Sequence, residues 1–353
     1  MNPLDIKIIS AIQNGSFDED TFNSLALEIF THQYQSNLPY HRYGDSLGKS
    51  PTQIARWQDI PAVPQTAFKE FDLCTFPVEN AVKIFHTSGT TTQVPGKHYL
   101  DTLELYEISC LEGYHRTFAP FAPLNFAILA ASPALAPHSS LSHMLDVWSA
   151  QFAPRGSFFF WNPDGLMIQA FIDAMKMAVD FKEPLFVMGT AFAFVHLMDA
   201  LQKRGESLKL PAGSLVMETG GYKGKSRELT KAELYASLTS TLGIPDENIF
   251  NEYGMTELGV QFYSRGSGGI HTVPPWARVQ IVSPSNGQEV ATGHTGLVRI
   301  FDLTNRGSVI AIQTEDAAVR HETGFSLLGR VNRAETRGCS IAADDLIEKG
   351  KKS

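Results

Sequence analysis

Cysteine is scarce in this chain. Its 353 residues hold three, Cys74, Cys110 and Cys339, with no CxxC or other metal-ligand spacing among them. An odd number scattered this widely argues against a disulfide scaffold and against a structural zinc site. Long apolar runs are missing too. None reaches the ~18 residues of a membrane-spanning helix, and the most apolar stretch, residues 126–136, is interrupted by Pro133. The start Met1-Asn2-Pro3-Leu4-Asp5 lacks the basic region and apolar core of a signal peptide, and the tail Lys351-Lys352-Ser353 is no prenylation signal. Positive charge is in deficit: 29 Lys and Arg against 37 Asp and Glu leave a formal charge of −8. That speaks against nucleic acid or an anionic membrane as the main partner, though not against a local basic pocket for a phosphate. The expectation is a soluble, cytoplasmic protein of a reducing compartment. Three catalytic signatures are also absent: the GxxxxGK[ST] phosphate loop, the HExxH zinc helix and the GxSxG nucleophile elbow.

What is present is ordinary for a globular protein: 43% hydrophobic and 19% charged residues. At about 150 residues per domain the length predicts two domains. Phe22, Leu25, Ile29 and Phe30 recur at helical spacing after the acidic Asp18-Glu19-Asp20. From about 100 to 255, apolar runs at 126–131, 158–161, 185–188 and 214–218 alternate with helical patterns near 139–152, 165–180, 191–204 and 226–242. That alternation predicts crossover units on a largely parallel sheet, an α/β fold. Ser226, with Glu228 behind it, is the expected cap of the last of these helices. After about 270 the strand-like runs 277–282, 297–301 and 309–313 are joined by turns without long helices, as in a meander or small barrel. The expected division is an α/β core over 1–270 and a β-rich subdomain over 271–353, closed by a short helix at 341–348.

Three segments carry chemistry. Thr87-Ser88-Gly89-Thr90-Thr91-Thr92-Gln93-Val94-Pro95-Gly96-Lys97 follows a strand-like run at 81–86. Glycine lets backbone N–H groups approach an anion, hydroxyls add donors and Lys97 adds charge, a set suited to phosphate. It is not a Walker A loop, because Gly89 lies seven residues before Gly96 and His98 follows the lysine. The second segment is Asn251-Glu252-Tyr253-Gly254-Met255-Thr256-Glu257. An aromatic beside a glycine, with an acid shortly after, suits a stacked base and a divalent cation on phosphates. The third is Thr314-Glu315-Asp316 with Gly329-Arg330 downstream. Each alone also reads as a polar turn or a surface charge.

In this order the three segments resemble the adenylate-forming ligase superfamily, which activates carboxylates as acyl-adenylates. Ser139-Ser140-Leu141-Ser142-His143-Met144, Gly189-Thr190-Ala191-Phe192-Ala193-Phe194, Glu218-Thr219-Gly220-Gly221-Tyr222-Lys223-Gly224 and Arg337-Gly338-Cys339-Ser340 are similar to the acyl-protein synthetase family, the long-chain-fatty-acid–luciferin-component ligases. The likeness runs from about residue 20 to the C-terminus. It implies that Thr87, Ser88, Gly89, Thr90, Thr91 and Lys97 lie along the phosphates of ATP, that Gly220 and Gly221 line the adenine, and that Tyr253 packs on it. It implies Thr256 at the α-phosphate, Glu257 on Mg²⁺, and Asp316 at the ribose with Arg330 beside it. Ser140, His143, Met144, Phe192 and Phe194 match parts that line the acyl pocket in relatives; core packing is the competing reading for Met144, Phe192 and Phe194.

The resemblance also places the acyl-accepting thiol at Cys339. The residues fit, since Ser340 is a candidate cap for the following helix and Arg333 and Arg337 are near, features that lower a thiol pKa. Asp344 and Asp345 act against them. Cys74 and Cys110 read as structural. The implied activity is acyl-adenylate formation from a fatty acid, thioester formation on Cys339 and hand-off to an acyl reductase or carrier protein. Two other readings stay open: a phenylacetate-type ligase using free coenzyme A, and a nucleotide-binding subunit without catalysis. Most of the superfamily carries a further mobile C-terminal domain with a catalytic lysine. Here about twenty residues follow Arg330, which fits the narrower family. The run Thr90-Thr91-Thr92-Gln93 stands where many relatives have Thr-Thr-Gly, and the lost glycine stiffens the loop.

Overall fold

A computed structural model describes residues 2–15, 17–87, 95–221 and 226–330. Helix α1 (Pro3–Asn14) opens with proline at its first turn, where a missing N–H costs nothing. Asn2 caps it by accepting from Leu4 N, and Gly15 (φ 65°) ends it. Helix α2 (Glu19–Ser36), capped by Asp18, buries the four apolar residues its spacing predicted, and α3 (Leu38–Ser46) follows. A short strand β1 (Val63–Pro64) precedes the hairpin of β2 (Lys83–His86) and β3 (Lys97–Leu100). Helix α4 (Glu104–Phe118) comes next.

The α/β region runs β4 (Asn125–Leu129), α5 (Ser140–Phe152), β5 (Ser157–Phe159), the small hairpin β6 (Trp161–Asn162) and β7 (Gly165–Leu166), α6 (Ile168–Phe181), β8 (Leu185–Thr190), α7 (Ala191–Lys203), β9 (Leu215–Thr219), α8 (Lys231–Leu242), β10 (Ile249–Tyr253) and β11 (Phe262–Arg265). Strands β10, β9, β8, β4 and β5 lie in that order and all pair in parallel, with β11 antiparallel outside β10. Side chains alternate across this sheet. One face, with Val187, Val216 and Ile249, packs on α6, α7 and α8. On the other, Phe126, Phe186 and Phe250 join an aromatic cluster with Phe118 and Trp148. After β12 (His271–Thr272), the strands β13 (Ala277–Val282), β14 (Thr295–Asp302), β15 (Ala311–His321) and β16 (Gly324–Arg330) form an antiparallel meander, with β1 parallel to β15. The expected α/β fold with a largely parallel sheet and a β-meander is what the chain forms.

Three expectations need correction. First, the chain does not divide at 270. The described residues of Met1–Glu112, Met255–Val260 and Thr272–Ser353 form one compact unit, and Gly113–Gly254 with Gln261–His271 form the other. The reason is local: residues 255–260 leave the parallel sheet and are held by the β14–β15 connection, as described below. Second, α8 starts at Lys231 rather than 226, because Thr230 and Glu233 make a reciprocal capping box. Third, α1, α3 and α4 were not anticipated; the prolines from Pro39 on suggest loops, yet Pro39 sits in the first turn of α3, where its missing N–H costs nothing. The helix expected at 341–348 lies outside the described residues. Among the described residues no helix is long and apolar enough to cross a membrane. Cys74 and Cys110 are buried.

Candidate active site

The segment carrying Thr256 and Glu257 is held by side chains from three distant parts of its unit. Asp302, fully buried at the end of β14, accepts from Gly259 N (2.8 Å) and Val260 N (3.0 Å) with one carboxylate oxygen. Its other oxygen accepts from the backbone and hydroxyl of Thr304. A side chain at position 259 would meet Thr304 Oγ1 at 2.5 Å, so glycine is needed there. Asn305 donates to Glu257 O at 2.9 Å. His98, buried on β3, reaches Thr256 O with Nδ1 (2.8 Å) and Asn305 Oδ1 with Nε2 (2.9 Å). The Thr256 hydroxyl donates to His86 O at 3.3 Å, at the end of β2, where the hydroxyl-rich segment begins. Gln65 donates to Glu257 Oε1 at 3.2 Å. The Glu257 carboxyl is 3% exposed. Burial pushes its pKa up, opposed by the Gln65 bond and the charge of Arg330, and reinforced by Asp316.

The base of the hydroxyl-rich segment is closed by two bonds. Thr87 N donates to Gly96 O (2.9 Å), and Gly96 N donates to Thr87 Oγ1 (2.8 Å). Ser88, Gly89, Thr90 and Thr91 lie outside the described residues, and so does Cys339. Lys97 is exposed on β3. Asp316 and Arg330 face each other across β15 and β16, with Arg330 Nε 3.4 Å from Asp316 Oδ1. Arg330 is largely exposed, so this pair adds little to stability. The structure thus brings Thr87, Thr256, Glu257, Asp316 and Arg330 into one unit. It places Gly220, Gly221 and Tyr253 in the other.

In that second unit Gly220 takes φ 68° and Gly221 follows it, both exposed after β9. Tyr253 is half-buried, its ring centre 6.0 Å from Phe262 and 6.1 Å from His271. Two buried carboxyls sit next to these turns. Glu252 accepts from the Thr219 hydroxyl and lies under Gly254, where a Cβ would approach Glu252 Oε1 to 2.2 Å. Glu218, on the opposite face, accepts from Asn251 Nδ2 (2.8 Å) and Tyr235 OH (3.2 Å). Burial raises both carboxyls from 4.5 to about 7.

Of the expected acyl-lining residues, Ser140 opens α5 behind its cap Ser139, and His143 and Met144 follow on the same helix. Met144 is buried on the aromatic face, 4.0 Å from Tyr263 OH. Phe194 is fully buried in the α6–α7–α8 core on the other face, and Phe192 is partly buried against it. The structure does not bring Phe194 and Met144 together: a sheet separates them, and Phe194 is core packing.

Sequence reasoning missed Gln65, His98, Asp302 and Asn305. None sits in a recognisable motif, and each acts on main chain or carboxylate more than 40 residues away. His98 sits with Tyr99 and Leu100 in a run of three buried residues on β3, so no alternation marks it.

Magnesium can be tested against the residues present. No cluster of three or more His, Cys, Asp or Glu among the described residues could hold a metal by itself. Mg²⁺ typically takes one or two carboxylates plus substrate phosphates and water. The single carboxylate of Glu257, aimed at by an uncharged amide, fits a cation that arrives with a nucleotide.

A model of the family described as acyl-protein synthetase, LuxE, matches residues 13–347. No curated protein matches the chain in sequence. Among solved structures, 2-hydroxyisobutyryl-CoA ligase in the postadenylation state with 2-HIB-AMP superposes with a TM-score of 0.68 at 14% identity, over 89% of this chain and 68% of the ligase. ATP-bound MatB from Rhodopseudomonas palustris gives a TM-score of 0.52 at 18% identity, over 81% of this chain and 56% of MatB. These likenesses establish the fold, and the family match extends over most of the sequence. The chain belongs to the acyl-protein synthetase family and has the fold of the adenylate-forming ligases.

Proposed function

We propose that the protein uses ATP to activate a fatty acid as its acyl-adenylate, moves the acyl group to the thiol of Cys339, and passes it to a protein partner such as an acyl reductase or carrier. The observation that carries the reading is the grip on Thr256 and Glu257 beside the start of the hydroxyl-rich segment. Five bonds from Gln65, His98, Asn305 and Asp302 fix a segment that no helix or sheet requires. Support comes also from the family match and from the adenylate and ATP bound by the structural neighbours.

In this reading a carboxylate oxygen attacks the α-phosphorus and pyrophosphate leaves. Thr87, Ser88, Gly89, Thr90, Thr91 and Lys97 neutralise the phosphates, and Thr256 donates to the α-phosphate. Donors fixed before reaction stabilise the developing charge without reorganising. Glu257 would hold an Mg²⁺ ion arriving with the nucleotide, which would supply charge neutralisation. Gly220, Gly221 and Tyr253 take the adenine, and Asp316 takes the ribose hydroxyls beside Arg330. The Cys339 thiolate then attacks the acyl carbonyl and AMP departs with the bridging oxygen. Ser140, His143 and Met144 are the acyl-side residues of this reading.

Pyrophosphate exchange over acids of graded chain length tests the first step. Glu257→Gln should lower the exchange rate on the order of 10²–10³-fold, the usual cost of one charge-stabilising group. Cys339→Ser should leave exchange intact and abolish hydroxylamine-sensitive acyl labelling; labelling that survives removes the thiol from the scheme. A second reading is favoured by the likeness to a CoA ligase: free coenzyme A takes the acyl group. A soluble thioester formed on adding coenzyme A would select it. Absence of exchange with every acid would favour a nucleotide-binding subunit.

A further inference from the structure

His98 sits in an unusual hydrogen-bonding position. Its Nδ1 meets the carbonyl oxygen of Thr256 at 2.8 Å, an atom that only accepts. Its Nε2 meets the side chain of Asn305 at 2.9 Å. The orientation of that amide is set from its far end. Asn305 Nδ2 lies 2.9 Å from Glu257 O, which also only accepts, so the amide nitrogen must point there. Asn305 therefore turns its oxygen to His98. Both ring nitrogens face acceptors, and a neutral imidazole has one N–H.

A neutral ring cannot satisfy this arrangement. With the proton on Nδ1, the Nε2 lone pair is set against Asn305 Oδ1. Turning the Asn305 amide over would instead set its oxygen against Glu257 O. Either way one buried acceptor is orphaned, and that cost is the desolvation of the abandoned group. The doubly protonated ring makes every bond. Burial holds the ring below its ordinary pKa, and the bonds to Thr256 and Asn305 offset this only in part, so the bonding geometry and not the titration argues for the second proton. The charged or titratable groups on surrounding elements are Lys97 on its own strand, His86 on β2, Lys69 beside Phe68, Glu257, and Asp302 and Arg306 around Asn305. None contributes to its titration, which burial and the two hydrogen bonds govern.

We propose that His98 is a positioning residue of the adenylation site: protonated on both ring nitrogens, it ties the strand that follows the hydroxyl-rich segment to the main chain of Thr256 and, through Asn305, to that of Glu257. The inference rests on the functional reading above for its effect on catalysis, but not for its effect on the ring. Losing the second proton, or the ring, frees one end of this tie and lets Thr256 drift from its place beside His86.

Two measurements test it. The first is the ¹⁵N spectrum of the histidine rings of the full chain at pH 6.0, with His98 assigned by the signal missing from His98→Gln. Two protonated ring nitrogens are expected; one bare nitrogen overturns the proposal, and this result stands whether or not the protein adenylates any acid. The spectrum of wild type alone, assigned through bonds, answers the same question if the variant does not fold. The second is a double-mutant cycle in pyrophosphate exchange with His98→Gln and Asn305→Ala. Each single change should lower kcat about tenfold with the KM for the acid unchanged, and the double should lower it no further. Multiplying effects, or a change confined to the acid KM, would overturn the shared tie. Absence of exchange in wild type would sink the functional reading and leave the ring measurement to decide the rest.

Discussion

The two units bury polar groups by different rules. The first also buries the carboxyls of Glu257 and Asp302, but it holds a permanent buried charge that is paired on two sides. Arg306, 2% exposed, is held by Asp5 through Nε (2.7 Å) and Nη2 (2.9 Å), and by Asp101 through Nη1 (2.9 Å) and Nη2 (3.0 Å). The bonds raise the guanidinium pKa despite its burial. Beside it Gln33 spans the same connection, donating to Asn305 O and Arg306 O and accepting from Ile310 N. In the second unit, Glu218 and Glu252 are buried with hydroxyl and amide partners, and only Lys231 opposes the burial of Glu218 by charge. Paired charge fixes geometry at every ordinary pH. Burial favours the protonated form of a carboxyl that no cation faces.

The strongest way to break this contrast is to remove the cation. Arg306→Met leaves Asp5, 2% exposed, as an uncompensated buried carboxylate. Losing one partner of such a pair typically costs about 3–5 kcal/mol. Urea unfolding should show that loss, and pyrophosphate exchange should fall with it, because Arg306 follows the Asn305 that holds Glu257. A loss below about 1 kcal/mol would mean the network is not the anchor its geometry describes.

The second unit should respond to pH with a definite sign. Its carboxyls rise from 4.5 unfolded to about 7 folded. Their contribution is therefore complete below about 4.5, declines as pH rises toward 7, and is gone above it. The combined span is on the order of several kcal/mol. Native-state hydrogen exchange at β9 and β10, corrected for intrinsic rates, should show opening free energies that fall between pH 5 and 7.5. The double variant Glu218→Gln with Glu252→Gln should flatten that slope. A slope that persists in the double variant would place the titration elsewhere.

Much of this architecture was legible in the sequence because its causes are local. Period-two and period-3.6 apolar patterns predicted α2, α5, α6, α7 and the parallel strands between them. Gly-rich and hydroxyl-rich turns marked the segments at 87–97 and 251–257. What stayed hidden was whatever depends on long-range pairing. Asp302 and Asn305 look like turn residues until the fold sets them against 257–260. Asn2-Pro3 was read for the absence of a signal peptide, when it is the cap and first turn of α1. Phe194 shows a different failure: apolar spacing on a helix is the same for a core residue and a pocket residue, and only burial tells them apart.

A smaller perturbation of the second unit separates local helix energetics from the buried carboxyls. Thr230 accepts from Glu233 N at 3.2 Å, and Glu233 Oε2 accepts from Thr230 N at 2.8 Å. Thr230→Ala removes the hydroxyl half of this box and should cost about 1 kcal/mol. The bonds from Thr230 hold the Glu233 carboxyl below its usual range. Its linkage therefore has the opposite sign from that of Glu218 and Glu252: present above the unfolded value and lost as pH falls through the folded one. Thr230→Ala should lower stability by a nearly constant amount from pH 5 to 8 and leave the slope set by the buried pair untouched. If that slope changed instead, α8 and the buried carboxyls would be one coupled element, through Tyr235, whose hydroxyl reaches Glu218 from the same helix.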